Sequence, residues 1–383
     1  MDRTELLFAL IRSEICKEAL SESARNEVTP EVLPFLYKAS KIHDLAHIVS
    51  KSLDRHGLLR DGELAEKFRK EEMLAVYRHE RIYHEYKSIC KALGDAEIDY
   101  IPLKGAVIKE YYPESWYRTS ADIDVLVKED ALDKAVEVLE NKLGYTVHAK
   151  EYHDVSMFSR NGVHLELHFS IKENMESIDK VLEKAWDFAS PYSEHEYRFT
   201  NEFMIFHIVS HMSYHFITGG CGIRTFIDLM LLKKHTAYDT NALAKLLSEC
   251  GLTKFYDRIS VLTEVWFGDG EHTQITKSLE EYIVSGGVFG SKKNKAVTAQ
   301  NLSGGKARHI AKRIILPYDD LKRIYPILEK HRYLTPFAQA YRWCSIIFKG
   351  KLKRSVKELK TNAAVTNDEY TSNKELLHEL GLI

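Results

Sequence analysis

Between Asp99 and Lys172 the apolar repeat of the chain shifts from the helical period to the strand period, and afterwards it shifts back. Before this stretch, Leu6, Leu10, Ile11 and Ile15, then Ile42, Leu45, Ile48 and Leu53, recur at helical spacing, which predicts helices over residues 1–95. Within it, "DYIPLKG" reads as a short strand, "AVIKEYY" as a helical turn, "ADIDVLV" as a strand and "DALDKAVEVLENKLG" as an amphipathic helix stopped by Gly144. "YTVHA", "DVSMFSR" and "VHLELHFSI" follow as strands, the last two joined by the hairpin signal Asn161-Gly162. A short strand region set in so much helix restricts the chain to an α+β fold. It has a helical N-terminal region (1–95), a compact α/β core (96–172), a helical C-terminal domain (173–360) and a linker with a terminal helix (361–383). The Gly- and Lys-rich stretch Ser285–Lys306 reads as a loop, and "TNAAVTNDEYTSN" as the linker.

The 383 residues, 44% hydrophobic and 29% charged, suffice for two or three cores and show no sign of wholesale disorder. Cys16, Cys90, Cys221, Cys250 and Cys344 are scattered singly, which argues against a structural zinc site and a disulfide framework. The only apolar run near the N-terminus is bounded by Glu5 and Arg12, too short for a signal peptide, and no run approaches the roughly 18 residues of a membrane span. A cytoplasmic location is expected. Charge is uneven: Ser291–Lys360 holds eighteen Lys and Arg against four acids, a net of +14, which within a total of −2 leaves −16 elsewhere. That asymmetry suits an anionic partner or, equally, a set of solvated helix faces; no specific nucleic-acid motif accompanies it.

In "ADIDVLV", Asp122 and Asp124 project from one strand face while Ile123, Val125 and Val127 project from the other. Adjacent carboxylates repel unless a cation lies between them, so the pair is either a solvated strand face or a cation site. In "VHLELHFSI", His164, Glu166 and His168 share a face, which brings a third carboxylate onto a polar strand. Upstream, "PLKGAVI" puts Gly105 at a strand-to-helix junction, where backbone N–H groups can hold a phosphate and Lys104 can reach another. Two carboxylates with a triphosphate can hold a pair of Mg²⁺ ions, and a third can take the proton from an acceptor hydroxyl.

The segment resembles the DNA polymerase β-like nucleotidyltransferase superfamily, whose signature is Gly-[Gly/Ser], then Asp-apolar-[Asp/Glu], then a later acid. "IPLKGAVIKEYYPESWYRTSADIDVLV" with "GVHLELHFSI" is similar to an uncharacterised bacterial nucleotidyltransferase family within it, and "GGVFG", "HMSYH" and "DLMLL" share that likeness. The resemblance implies a small mixed-sheet nucleotidyltransferase core. It casts Asp122 and Asp124 as the metal pair, Glu166 as the third acid and Gly105 as the phosphate cradle. Lys104 and Arg118 become triphosphate contacts, and Ser120 joins the nucleotide-binding residues. Ala106 stands where the superfamily has Ser or Gly, the gap from Ala106 to Asp122 is longer than usual, and Glu166 replaces the commoner Asp. The implied cofactor is a pair of Mg²⁺ ions, with Mn²⁺ as the alternative, and the substrate is an NTP.

In "HIVSHMSYH", His207, His211 and His215 recur at four-residue steps along one helix face. Zinc ligation, a place in the cleft lining and ordinary core histidines are the three readings, and no HExxH pattern or nearby Cys supports the first. His168, His211, His215 and Asp228 are the candidates for cleft lining. Asp228, alone among apolar residues, needs a partner if buried, and Arg224 is the expected one. These observations predict transfer of a nucleoside monophosphate from an NTP to a hydroxyl on a small molecule, sugar or protein. The alternatives are a degenerate module that holds a nucleotide or partner, and a peripheral protein whose "YRWCSIIFKGKLKRSVKELK" segment lies on anionic lipid.

Overall fold

The helical repeat that opens the chain becomes five helices: α1 (Arg3–Cys16), α2 (Glu22–Glu27), α3 (Leu33–Ile42), α4 (Ala46–Arg55) and α5 (Glu63–Gly94). This is a computed structural model, and it describes residues 1–288, 290–348 and 352–383. The chain folds into two compact units, one of Met1–Tyr214 with Cys221–Val288 and the other of His215–Gly220 with Phe289–Ile383.

The strand region forms β1 (Tyr100–Pro102), α6 (Gly105–Ile108), β2 (Asp122–Val127), α7 (Leu132–Leu143), β3 (Thr146–Lys150), β4 (Asp154–Phe158) and β5 (His164–His168). The sheet order is β1-β2-β5-β4-β3, with β2 and β5 parallel and the other neighbours antiparallel. Alternation sorts the side chains: Ile123, Val125, Val127, Leu165 and Leu167 turn to a core completed by Tyr86, Ile89 and Leu93 of α5 and by Leu132, Ala135 and Leu139 of α7. Each such side chain contributes roughly 1.5–3 kcal/mol on full burial, enough to fix which face of β2 points inward. Gly144 closes α7 at φ +69°, in the left-handed region its missing Cβ permits. The β4–β5 hairpin turns through residues 159–163, with the Ser159 N–H donating to the Val163 carbonyl at 2.9 Å.

The same unit continues with α8 (Glu176–Leu182), β6 (Ala189–Pro191), β7 (Tyr197–Phe199) and α9 (Asn201–Thr218), whose last residues pass into the other unit. It ends with α10 (Ile223–His235), α11 (Thr240–Glu249), α12 (Thr253–Phe267) and α13 (Gln274–Val284). The two-stranded β6–β7 ribbon interrupts a region that the sequence pattern reads as helical, because three-residue strands are too short to show alternation.

The other unit contains α14 (Lys292–Leu302), α15 (Lys306–Ile314), α16 (Tyr318–Ile324), α17 (Thr335–Phe348), α18 (Leu352–Ala363) and α19 (Asn367–Glu379). Two readings are corrected here. The Ser285–Lys306 stretch is not all loop: its glycines lie at the ends, and between them Ser291 caps α14 by accepting from the Asn294 N–H at 2.9 Å. The "TNAAVTNDEYTSN" segment is mostly helix, since α18 runs to Ala363 and Thr366 with Glu369 forms a capping box that starts α19. Ala296, Val297 and Val365 form a small core there. No helix among the described residues is long and apolar enough to cross a membrane.

Candidate active site

Parallel pairing of β2 with β5 sets Asp122 opposite His164 and Asp124 opposite Glu166. Because both strands alternate in phase, all four side chains rise from the sheet face opposite the core. Ligand-capable atoms of Asp122, His164 and Glu166 lie within 4.8 Å of one another, as do those of Asp124, Glu166 and His168. The Glu166 carboxylate thus belongs to both groups, one with each aspartate.

The charges in the cluster are unequal. Burial, reinforced by Asp124 and Glu166, pushes the Asp122 carboxyl up to about 6. Burial acts on Asp124 as well, but Lys104 and the hydrogen bond from His168 outweigh it and hold Asp124 well below the usual carboxylate range. His168 Nε2 sits 3.1 Å from Asp124 Oδ1 and 3.4 Å from Glu166 Oε2; these contacts overcome burial and raise the imidazole to about 9. Burial opposes the charge on Lys104 too, but Asp124, Glu173, Asp122 and Glu166 together raise it. Lys104 has φ +44°, a strained position for a lysine, at the step from β1 into α6.

Gly105 opens α6, whose four residues are too few for a strong helix dipole. Neighbours approach Gly105 closely: a Cβ there would stand 2.7 Å from Ser120 Oγ and 3.2 Å from Arg118 Nη1, so those side-chain ends would have to shift. Gly105, Arg118, Ser120, Asp122 and Asp124 line one narrow cavity of about 30 Å³ with His79 and Lys109. His79 and Lys109 escaped the sequence reading: His79 comes from α5, and Lys109 reads as one charge in a helical turn. Lys109 is buried over the rings of Tyr83 and Tyr86, 4.8 and 4.9 Å from their centroids.

Arg118 reaches this cavity from a buried anchor. Its Nε donates to both carboxylate oxygens of Asp228, at 2.9 and 3.0 Å, and its Nη1 donates to the Thr119 carbonyl at 2.9 Å. Tyr112 Oη donates to the same carboxylate at 2.7 Å. The expected Arg224–Asp228 pairing is therefore corrected. Helical spacing puts the two on one face of α10, but Arg118 and Tyr112 occupy the carboxylate, while Arg224 donates to the Thr119 carbonyl and stands 3.7 Å from Asp44. Asp228, 2% exposed, lies behind Arg118.

Of the helix α9 histidines, His207 is buried and His211 Nδ1 meets Glu173 Oε1 at 2.5 Å. Burial lowers the pKa of both, that of His207 to about 3. His215 belongs to the other unit, and among the described residues neither three-ligand cluster includes any of these histidines. In the "GGVFG" motif Phe289 lies outside the described residues, as do Lys349–Lys351 of the basic segment; Trp343 and Phe348 beside it are exposed.

A mixed sheet that offers three acids on the face away from its core, with a glycine strand-to-helix turn beside them, is the arrangement that the resemblance to nucleotidyltransferases implies. Residues 33–268 match the model of a family described as an uncharacterised nucleotidyltransferase, more than half of the chain, and the chain belongs to that family. The match takes in α3–α5 and α8–α12 as well as the sheet. Comparison with curated proteins gave no match.

Proposed function

We propose that the chain transfers a nucleoside monophosphate from an NTP to a hydroxyl acceptor. The observation that carries this reading is the convergence of Asp122, Asp124 and Glu166 from two adjacent parallel strands. Their oxygens are the hard donors that Mg²⁺ or Mn²⁺ prefers, and the elevated Asp122 carboxyl marks like charge gathered with too little counter-charge. The fit is good: Asp122 and Asp124 would hold the metal, which supplies charge stabilisation at the phosphoryl oxygens.

The remaining steps fall to the protein. Gly105, Ser120 and the Nη1 edge of Arg118 receive the phosphate chain at the narrow cavity, too small for a nucleoside, so the base lies outside it. The acceptor hydroxyl oxygen bonds to the α-phosphorus, the bond from that phosphorus to the bridging oxygen of the β-phosphate breaks, and pyrophosphate leaves. Glu166 takes the hydroxyl proton and passes it to water. The test is incubation with each of the four NTPs and Mg²⁺ or Mn²⁺, with pyrophosphate measured and label followed into the protein and into a metabolite extract. Release with one or more NTPs is expected. Tight binding without release for every NTP would reduce the chain to a nucleotide-holding module.

A further inference from the structure

Helices α14, α15 and α18 line a cavity of about 520 Å³ within the unit that holds Phe289–Ile383. It lies wholly outside residues 33–268, so membership of the family does not account for it. Lys292, Lys295, Ala296 and Ala299 follow at the three- and four-residue steps of one helix face, so α14 brings ammonium groups and a strip of small side chains to the same space. Arg313 of α15 and Lys357 of α18 join them. Glu358 is the one carboxylate on the lining among the described residues, and Arg313 pairs with it. Lys292, Lys295 and Lys357 have no ion-pair partner among the described residues: Glu369 goes to Lys293, and Asp319 to Lys322. Four cations against one carboxylate leave a net of +3 on one concave wall, which focuses positive potential into it. The surrounding sequence offers little relief, since Asp319, Asp320, Glu329 and Glu358 are the only acids of Ser291–Lys360. His309, buried in the same wall, registers that potential: burial, then Arg313 and Lys312, lower its pKa.

We infer that this cavity binds a small molecule bearing two or more phosphate groups, an inference independent of the nucleotidyl-transfer reading above. Size and charge select that class together. The volume falls among small-ligand pockets, roughly 300–1,000 Å³, and equals that of about seventeen waters at about 30 Å³ each. A lone orthophosphate would fill a small part of it. One phosphate monoester carries about −1.5 to −2 near neutral pH, so two of them match the surplus on the wall. Each phosphate also presents three acceptor oxygens to the three donors of each ammonium, where a carboxylate presents two. Ala296 and Ala299 are short enough for the carbon frame of the ligand to lie against α14. A nucleic-acid strand fits less well, because no aromatic side chain lines the cavity among the described residues and a base would have nothing to stack on.

The experiment is calorimetric titration of the full chain, with EDTA present to keep metal from the carboxylate cluster. The probes are fructose 1,6-bisphosphate, inositol hexakisphosphate, tripolyphosphate, orthophosphate, citrate and a mixed-sequence DNA duplex. At least one of the first three is expected to bind once per chain, about tenfold or more tighter than orthophosphate or citrate. Lys295→Gln combined with Lys357→Gln, both at exposed positions, should weaken that binding by about tenfold or more while the thermal midpoint stays level. Ala299→Gln, which fills space and keeps every charge, should weaken it as well and guards against a folding defect in the first variant. Lys330→Gln, exposed and outside the cavity, should change the affinity by less than about twofold. Failure of every phosphorylated probe to bind more tightly than about 1 mM overturns the inference. So does an equal loss in Lys330→Gln, which would mean diffuse attraction, or undiminished binding in the lysine and alanine variants, which would put the anion elsewhere on the chain. Citrate bound as tightly as the best phosphate ester removes the phosphate class, and a duplex that displaces every small probe makes the wall a nucleic-acid surface instead.

Discussion

Arg118 with Asp228 and Asp122 with Asp124 are both pairs of charges withdrawn from water in one unit, yet only the first is complete. Side-chain exposure is 8% for Arg118 and 3% for Asp228, and every strong contact of the carboxylate is to a donor. Asp122, by contrast, faces Asp124 and Glu166, and Lys104 and His168 go chiefly to Asp124. A closed pair holds the backbone around Thr119 and Ser120; an open cluster is where, on the proposed function, a cation would complete the charge. The difference teaches where to look for chemistry: at buried charge whose partners do not add up.

The comparison breaks most visibly at Asp122. Asp122→Asn removes an oxygen proposed to hold the metal and one of the repelling charges together. Turnover should fall by at least about 10³-fold, several kcal/mol of lost charge stabilisation, while the thermal midpoint without metal stays level or rises. Pyrophosphate assays alongside thermal melts test this, and a variant with full activity removes Asp122 from the site. Glu166→Gln comes next. It keeps shape and hydrogen-bonding reach but loses the basic oxygen, so transfer should slow by roughly 10²–10⁴-fold with NTP binding retained. Near-normal single-turnover rates would make Glu166 a structural residue of β5.

How much of this contrast the sequence makes legible depends on range. Alternation in "ADIDVLV" and "HLELH" places the three acids on polar faces, and the structure sets those faces side by side because β2 and β5 pair in parallel register. That register is invisible in either strand alone; it comes from the crossover through α7, β3 and β4. The close approach of Ser120 and Arg118 to Gly105 comes from more than a dozen residues away, so the strand-to-helix junction that singles out the glycine in the sequence does not reveal it. Asp228 shows the opposite failure. Local spacing offers Arg224, but tertiary contacts supply Arg118 from 110 residues upstream. Local rules describe elements well and choose partners for buried charges poorly.

At the closed pair, Asp228→Asn strips the counter-charge from a guanidinium that cannot deprotonate. A loss of about 3–5 kcal/mol in unfolding free energy is expected, measurable by urea titration. The pyrophosphate rate per folded molecule should change far less than in Asp122→Asn. If stability holds and turnover collapses instead, Asp228 belongs to the open cluster and the distinction between the two regions fails.

The smallest effect separates the regions by pH. His43 and His47 are buried in the helical layer and lowered to about 4, chiefly by burial. His47 Nε2 is 2.9 Å from the Tyr117 carbonyl; Asp44 raises this histidine's pKa, while Arg78 and Arg224 lower it further. A histidine whose folded pKa lies below its unfolded value leaves stability intact above about 6.5 and erodes it as pH falls, because the unfolded chain takes the proton first. Between pH 6.5 and 5 each should cost about 2 kcal/mol, at 1.36 kcal/mol per unit. Asp122 works in the opposite sense, since a carboxyl raised to about 6 favours the folded state as it protonates. The slope is therefore best measured in the Asp122→Asn background, where His43 and His47 add to the acid loss together with His207 and His211, which burial also lowers. There, His47→Gln, which keeps a hydrogen-bonding group near the Tyr117 carbonyl but cannot titrate in this range, should reduce the acid loss by about a quarter, one share among the four lowered histidines; an unchanged slope would place the acid sensitivity outside the helical layer.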